Sequence, residues 1–451
     1  MSGMPYVSTT NACKLCTPLG AALAFKGVQG CIPFLHGSQG CATYMRRYVI
    51  SHFREPIDIA SSSLGEKHAI YGGGPNLKKG LVNVLERYQP EVVGVATTCL
   101  TETIGDDVAG FLAEFFREFS DLDLPEVVNV STPSYTGTHM DGFHNAVAAL
   151  CRQLCTEKTE PRQDINLFPG FVSTEDLRHL DRICRLYGLR PAILPDFSRT
   201  LDGPALDDYE ILPSGGTPLS DLRAMGAAKA TLECGRLMQE RKSAGKDLNI
   251  RFRTDLHTLG MPIGLRETDV LHRALQEISG MDMPEPVAEQ RGRLLDAYVD
   301  GHKYLFDKRV IVYGEADLVI GLCAFLAEIG MRPVLCATGE KTAGFGPAIE
   351  KVCSPLLSEM PRVRTGIDFH ELEEEARHYS PDLLLGHSKG YHLARKLDIP
   401  LLRVGFPLHD RFGGQRFRHL GYAGAAELFD RLVNTFLELK QAGSDVGYGY
   451  L

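Results

Sequence analysis

The run Val92-Val-Gly-Val-Ala96 contains no polar side chain. A strand with one face in water alternates apolar and polar residues, so an uninterrupted run marks a strand covered on both faces, as in a parallel sheet flanked by helices. It ends at Thr97-Thr-Cys99, and Gly105-Asp-Asp107 then opens a helix. This strand–loop–helix unit recurs. Cys31 to Leu35 and Glu126 to Val130 read as further strands; Pro18 to Lys26 (closed by Gly27), Tyr44 to Phe53, Leu77 to Tyr88 and Asp141 to Cys155 read as helices.

Thr156 to Asp164 is polar and contains Pro161, which places a boundary near residue 160. Beyond it, Ile165 to Phe168 and Pro191 to Leu194 read as strands around a helix from Thr174 to Tyr187, capped by Ser173 or Thr174. A third region starts with the strand Arg309 to Gly314, the helix Ala316 to Gly330 and the strand Arg332 to Cys336; later strands lie at 381–386 and 401–405. The expectation is an α/β protein of three units, 1–160, 161–305 and 306–451, consistent with a length of about three ordinary domains. Open α/β sheets collect ligands at the C-terminal ends of their strands, which is where Cys41, Cys99 and Ser134 fall. Gly314-Glu-Ala-Asp317 lacks the spaced glycines of a dinucleotide turn.

A net charge of −9 offers no basic footprint for nucleic acid. No apolar run approaches the roughly 20 residues of a membrane span; the best, Leu318 to Ile329, is broken by Gly321 and Glu328. The N-terminus lacks the basic start and apolar core of a signal peptide, so a cytoplasmic protein is expected. In that compartment the twelve cysteines are expected to be thiols, leaving metal ligation, redox chemistry or burial as their roles.

Most of the twelve suit burial as small hydrophobes: Cys31, Cys184, Cys234, Cys323, Cys336 and Cys353 lie inside apparent strands or helices. Cys151 and Cys155 are one helical turn apart, but no second pair with zinc spacing stands nearby, so core packing is expected there too. Cys13-x-x-Cys16 has no preceding strand to make it a thioredoxin-type motif. Cys16, Cys41 and Cys99 differ, because each sits at a loop–helix junction. Soft thiolates suit iron–sulfur clusters, and the glycines of His36-Gly-Ser-Gln-Gly-Cys41 would let backbone amides approach cluster sulfide. A four-iron cluster held by one chain takes four thiolates, so three suggest a cluster shared across a subunit interface. On spacing alone, a purely structural role for these loops stays open.

The same residues resemble the component 1 family of nitrogenases, and most closely its β-type subunits. The shared pattern is Cys16-Thr-Pro-Leu-Gly-Ala21, His36-Gly-Ser-Gln-Gly-Cys41, His52-Phe-Arg-Glu-Pro56, Tyr71-Gly-Gly73, Thr97-Thr-Cys99, Glu102, Ile104-Gly-Asp-Asp107, Thr132-Pro-Ser134 and Gly405-Phe-Pro-Leu-His-Asp-Arg411. The resemblance implies three Rossmann-like αβα domains with parallel sheets around a cleft, and a homologous α-type partner in an α2β2 heterotetramer. It also implies an ATP-dependent iron protein as electron donor. Carried over by position, Cys16, Cys41 and Cys99 match the β-side ligands of the [8Fe-7S] P-cluster shared with the α-type subunit, and Ser134 matches a serine that can bind iron when that cluster is oxidised. Tyr44 matches a tyrosine between that cluster and the catalytic cofactor; Tyr71 and Asp107 match the surface that receives the iron protein. Arg54 and Glu55 correspond to a site where some relatives hold a cation between β-type chains. The catalytic cofactor of the family sits in the α-type subunit, so no catalytic residue is expected here.

Three features differ from molybdenum-nitrogenase β subunits: the fifteen residues before Cys16 where a longer extension is usual, the extra Cys13, and the tail Asp445 to Leu451. They are similar to nitrogenase-like reductases, among them methylthio-alkane reductase, or to the β-type subunit of a cofactor-assembly scaffold with a shared [4Fe-4S] cluster. Retention of all three cysteines favours the reductase, which would reduce dinitrogen or a carbon–sulfur bond in a methylthio compound.

Overall fold

The computed structural model describes residues 13–157, 160–208 and 210–445. Residues 1–12 and the tail beyond Asp445 lie outside them. β1 (Cys31–His36), β2 (Ala60–Ser61), β3 (Val92–Thr97) and β4 (Glu126–Val130) form a parallel sheet in the order β2-β1-β3-β4. β5 (Ile165–Phe168), β6 (Pro191–Ile193), β7 (Ala230–Cys234) and β8 (Asp255–Leu259) form a second, ordered β6-β5-β7-β8. β9 (Arg309–Gly314), β10 (Arg332–Thr338), β11 (Arg362–Thr365), β12 (Leu383–Gly386) and β13 (Leu401–Arg403) form a third, ordered β11-β10-β9-β12-β13. All three are parallel with helices between their strands, the α/β architecture expected. Among the described residues no helix is long and apolar enough to cross a membrane.

Capping chemistry moves several helix starts from their expected places. The helix expected from Tyr44 begins at Gln39, because the Ser38 side chain accepts the Gly40 N–H and caps it. The helix expected from Leu77 begins at Gly74, with Pro75 in its first turn, where a missing N–H costs nothing. A short helix, Cys99–Ile104, precedes the one at Asp107; a Thr98/Thr101 capping box starts it and Gly105, at φ 74°, ends it. Asp107 then caps Val108–Glu118. Thr138 starts the helix His139–Leu154 two residues earlier than expected, and Ser173 is the cap of Thr174–Leu186.

The helix Thr17–Lys26 is buried along its whole length. It crosses His139–Leu154 at backbone contact. A Cβ on Gly20 would lie 1.6 Å from the His139 carbonyl oxygen, and one on Gly142 1.8 Å from that of Thr17. Glycine at both crossing points lets the helices approach to main-chain distance, and this contact places Cys16 beside the loop after β4.

Aromatic rings fill the meeting point of the three sheets. Phe406, from the segment after β13, lies 5.2 Å from Phe171 and 6.3 Å from Phe53, and edge-on to His52 at 4.9 Å. Four buried histidines are held neutral: burial pushes His52 down to about 3, and His179, His272 and His387 to about 4.

Two predictions follow from this packing. Gly20→Ala should cost more than the ~1–3 kcal/mol typical of an inserted methylene, since the blocking atoms are main-chain; urea denaturation would show it, and an unchanged midpoint would refute the close crossing. The histidines bear on pH. Unfolded imidazoles protonate below about pH 6.5 and the folded ones only near 3 to 4, so the unfolded state binds more protons in between and stability falls as pH drops from 6.5 to 4. The slope should reach ~1.4 kcal/mol per pH unit for each histidine, measurable as denaturation midpoints at pH 7.5, 6 and 5.

Candidate functional site

β1, β3 and β4 end side by side, with His36 in register with Thr97 and Ala96 with Val130. The segments leaving these ends carry Cys41 and Cys99, each in the first turn of a helix, and Ser134. Cys16 reaches the same place as the N-cap of Thr17–Lys26, held by Thr17, whose N–H donates to Ser134 Oγ at 3.1 Å and whose Oγ1 donates to the Pro133 carbonyl at 3.3 Å. The Ser134 N–H in turn donates to Cys99 Sγ at 3.3 Å. Cys41 is close enough to both other sulfurs that, after burial, their charge is what raises its thiol pKa. Cys16 and Cys99 are exposed and Cys41 half-buried, whereas the other nine cysteines are buried.

Two expectations about this corner need correction. Cys41 lies within the first turn of Gln39–Phe53 and not in the loop before it. The Gly37 and Gly40 amides are not free for a ligand, since they donate to Ser62 Oγ at 2.9 Å and Ser38 Oγ at 3.2 Å. Gly37 is small because a Cβ there would lie 2.1 Å from Thr98 Oγ1. Among the described residues no group of three or more His, Cys, Asp or Glu could hold a metal ion, so the three thiols border an area and do not converge on a point.

Cys13 turns away from Cys16. It is buried, its sulfur lies 3.7 Å from His387 Nε2, and burial pushes its thiol up to about 12. Cys151 and Cys155 are core residues, the first against Met225 Sδ at 3.7 Å, the second accepting the Gly226 N–H at 3.2 Å.

Tyr44, one turn along the helix from Cys41, is 47% exposed, and its ring lies 4.8 Å from Tyr48, which meets His409 at 5.2 Å. Burial and the Tyr48 hydroxyl raise the Tyr44 phenol pKa. Tyr71 projects at 83% exposure beside Ile70 at 79%. Asp107 is exposed and accepts the Gly110 N–H at 3.0 Å. Arg54 donates to the His409 carbonyl at 3.1 Å, and the Glu55 carboxyl is raised by burial and then by Asp202.

Residues 16–437 match the profile of the family described as nitrogenase component 1 type oxidoreductase. The chain belongs to this family. It is 34% identical over 428 residues to the nitrogenase molybdenum-iron protein beta chain of Clostridium pasteurianum, covering 95% of this chain and 93% of that one. It is also 34% identical over 434 residues to the nitrogenase iron-iron protein beta chain of Rhodobacter capsulatus, covering 95% and 94%. A solved chain titled nitrogenase Cp1 at pH 6.5 superposes with a TM-score of 0.95 at 32% identity, over 100% of this chain and 98% of that one. A chain from Cp1 at pH 5 has a TM-score of 0.70 at 15% identity, a likeness of fold alone. Within the family this is a β-type chain.

The support behind this β-type corner was not legible as chemistry in the sequence. Glu102 accepts hydrogen bonds from Thr97 Oγ1 and from Ser131 Oγ, while Thr132 donates through N–H and Oγ1 to Thr97 at 2.8 and 2.6 Å. These bonds tie the ends of β3 and β4 together. Adjacent hydroxyl pairs at two strand ends, Thr97-Thr98 and Ser131-Thr132, were the available signal. Asp106 is the second such residue. Its carboxylate, 4% exposed, takes His36 Nε2 at 3.1 Å and the Gly73 N–H at 3.1 Å, so one buried group holds the end of β1, the turn after Tyr71 and the turn before Asp107. Gly73 is required there because a Cβ would lie 2.6 Å from Asp106 Oδ2.

Asp106→Ala should therefore destabilise by about 1.5–3 kcal/mol, the range for hydrogen bonds to a charged group. Amide exchange at Gly72 to Gly74 should also speed up, and exchange there unchanged from the parent would show that the turn is held by something else.

Proposed function

We propose that this chain is the β-type subunit of a nitrogenase-like reductase, holding with Cys16, Cys41 and Cys99 half of an [8Fe-7S] P-cluster shared with a homologous α-type subunit in a cytoplasmic α2β2 assembly. One observation carries the reading: only three of the twelve cysteines reach the surface, and those three share one corner with Ser134. The donor set fits the group. Burial, and then the neighbouring Cys16 and Cys99, raise the Cys41 thiol, and soft metal ions supply the counter-charge that favours its thiolate. Three thiolates on an open face form an incomplete ligand set that a partner chain would complete.

When bound, such a cluster supplies reversible storage of electrons. The chain's own residues would hold and tune it. The Ser134 N–H on Cys99 withdraws electron density from that sulfur, as outer hydrogen bonds do at metal sites. Ser134 Oγ, engaged with Thr17 N–H, would offer a hard oxygen beside Cys99, whose sulfur accepts the Ser134 N–H. Tyr44 would lie toward the partner's catalytic cofactor. Exposed Tyr71 with Ile70 beside it, and Asp107, would receive an ATP-dependent iron protein; the partner's cofactor would reduce dinitrogen or a methylthio carbon–sulfur bond. We assign the cluster-holding unit to 1–160 and the other two to 161–305 and 306–451.

Anaerobic iron and sulfide analysis with EPR on the complex with its α-type partner tests the reading. About eight irons per αβ interface beyond those of any cofactor, with signals emerging on oxidation, are expected; about four, with a simple reduced signal, would point instead to an assembly scaffold sharing a [4Fe-4S] cluster. In Cys41→Ala that interfacial iron should be lost, and retention of iron and electron transfer would remove the thiol from the ligand set.

A further inference from the structure

Lys26 ends the helix Thr17–Lys26 and is only 3% exposed. Lysines are almost never buried to this degree unless paired. Among the described residues, however, the Lys26 side-chain nitrogen makes no hydrogen bond and no ion pair; only the Lys26 carbonyl is engaged, accepting the Thr200 hydroxyl at 2.6 Å. Burial works against the charge of this amine, and Cys31 and Asp58 oppose that effect through space. Neither is a partner. Cys31 is a buried thiol pushed up to about 12, so it brings no charge. Asp58 Oδ2 accepts the Tyr88 hydroxyl at 3.0 Å instead.

Lys26 lines a cavity of about 320 Å³ between β1, the segment 50–58 and the connection from β6 to β7. A water needs roughly 10–15 Å³ by this measure, so a small organic molecule fits. Much of the wall is apolar, with Ile32, Ile50, Ile57, Leu206, Leu212 and Pro213 contributing. The charged residues of the lining divide into two groups. Glu210 accepts the Ser214 N–H at 3.1 Å, Asp58 holds Tyr88, and the Glu55 carboxyl, raised by burial and then by Asp202, faces the Gly203 N–H. Arg199 is exposed and, like Lys26, makes no side-chain hydrogen bond or ion pair among the described residues. The acidic groups of the cavity are engaged, and its two basic groups are not.

A buried amine beside an apolar wall selects its ligand on two counts. Water would take its N–H donors but bring no counter-charge, and charge buried without one is costly. An inorganic anion would bring the charge but leave the apolar wall wet. A carboxylate on a short hydrocarbon chain does both: its oxygens accept charge-assisted hydrogen bonds, and its chain covers apolar side chains. A carboxylate beside the amine also favours the ammonium form by its own charge, whichever form precedes it.

We propose that this cavity binds a short-chain aliphatic carboxylate, with the carboxylate on Lys26 Nζ and the chain against the apolar wall. The site is independent of the cluster and of the reading of the thiol corner.

Isothermal titration of the αβ complex with sodium hexanoate at constant ionic strength tests it, beside hexanamide, which keeps the shape without the charge. Hexanoate should bind saturably. Lys26→Met should weaken that binding by about ten- to a hundredfold, the equivalent of one hydrogen bond to a charged group, and hexanamide should bind the parent more weakly by a similar factor. Ile50→Asp, at a lining position 40% exposed, should weaken hexanoate too by placing a like charge in the cavity. No saturable heat with hexanoate, equal binding of hexanamide, or an affinity unchanged in Lys26→Met would overturn the proposal. If Lys26→Met fails to fold, Ile50→Asp and the amide decide: weaker binding in both supports the site, and unchanged binding in either overturns it.

Discussion

The crossing of Thr17–Lys26 over His139–Leu154 is the contact on which the thiol corner depends. At Gly20 and Gly142 the two backbones approach closer than any side chain allows, and around the crossing the chains exchange hydrogen bonds. The His139 N–H donates to the Leu15 carbonyl at 3.0 Å, Leu15 donates to His139 Nδ1, and Thr17 donates to Ser134. Cys16 lies in the middle of these bonds. Without strand pairing of its own, it is positioned by a helix packed so tightly that it cannot slide.

His139 links this crossing to the rest of the molecule, because its far nitrogen meets Glu315 at the start of the helix Ala316–Glu328 that follows β9. The thiols at one surface and this interior carboxylate are therefore connected through His139, although nothing requires them to share a function. Arg241 makes a comparable link, buried between Asp317 and Glu340. A buried arginine with two carboxylates is a costly arrangement unless every charge is matched. Here the match joins the segment after β7 to those after β9 and β10.

Two of the exposed aromatic groups stand on elements with buried polar support. Tyr71 stands exposed on a turn whose glycine N–H is tied to Asp106, and Asp106 also holds His36 at the end of β1. Tyr44 rises from the helix that carries Cys41. Exposed aromatic groups on rigid elements lose little conformational freedom when a partner covers them.

The sequence alone determined nine of the strands, because an apolar run such as Val92 to Ala96 states its own burial within a few residues; β2, β7, β8 and β11 escaped it. It also placed Cys41, Cys99 and Ser134 at strand ends, offered Ser173 or Thr174 as a cap and read Gly105-Asp-Asp107 as a helix start, since capping acts over three or four positions. Helix starts at Gln39 and Gly74 escaped it because Ser38 and Pro75 act one turn before the apolar pattern begins. Tertiary structure decided the rest. Cys13 and Cys16 are three residues apart and look alike in sequence, yet one is buried against His387, 374 positions away, and the other is open. Gly37 looked like an amide left free for a ligand and proved to be room for Thr98. Those outcomes turn on which distant elements pack together, and short-range patterns do not encode that geometry.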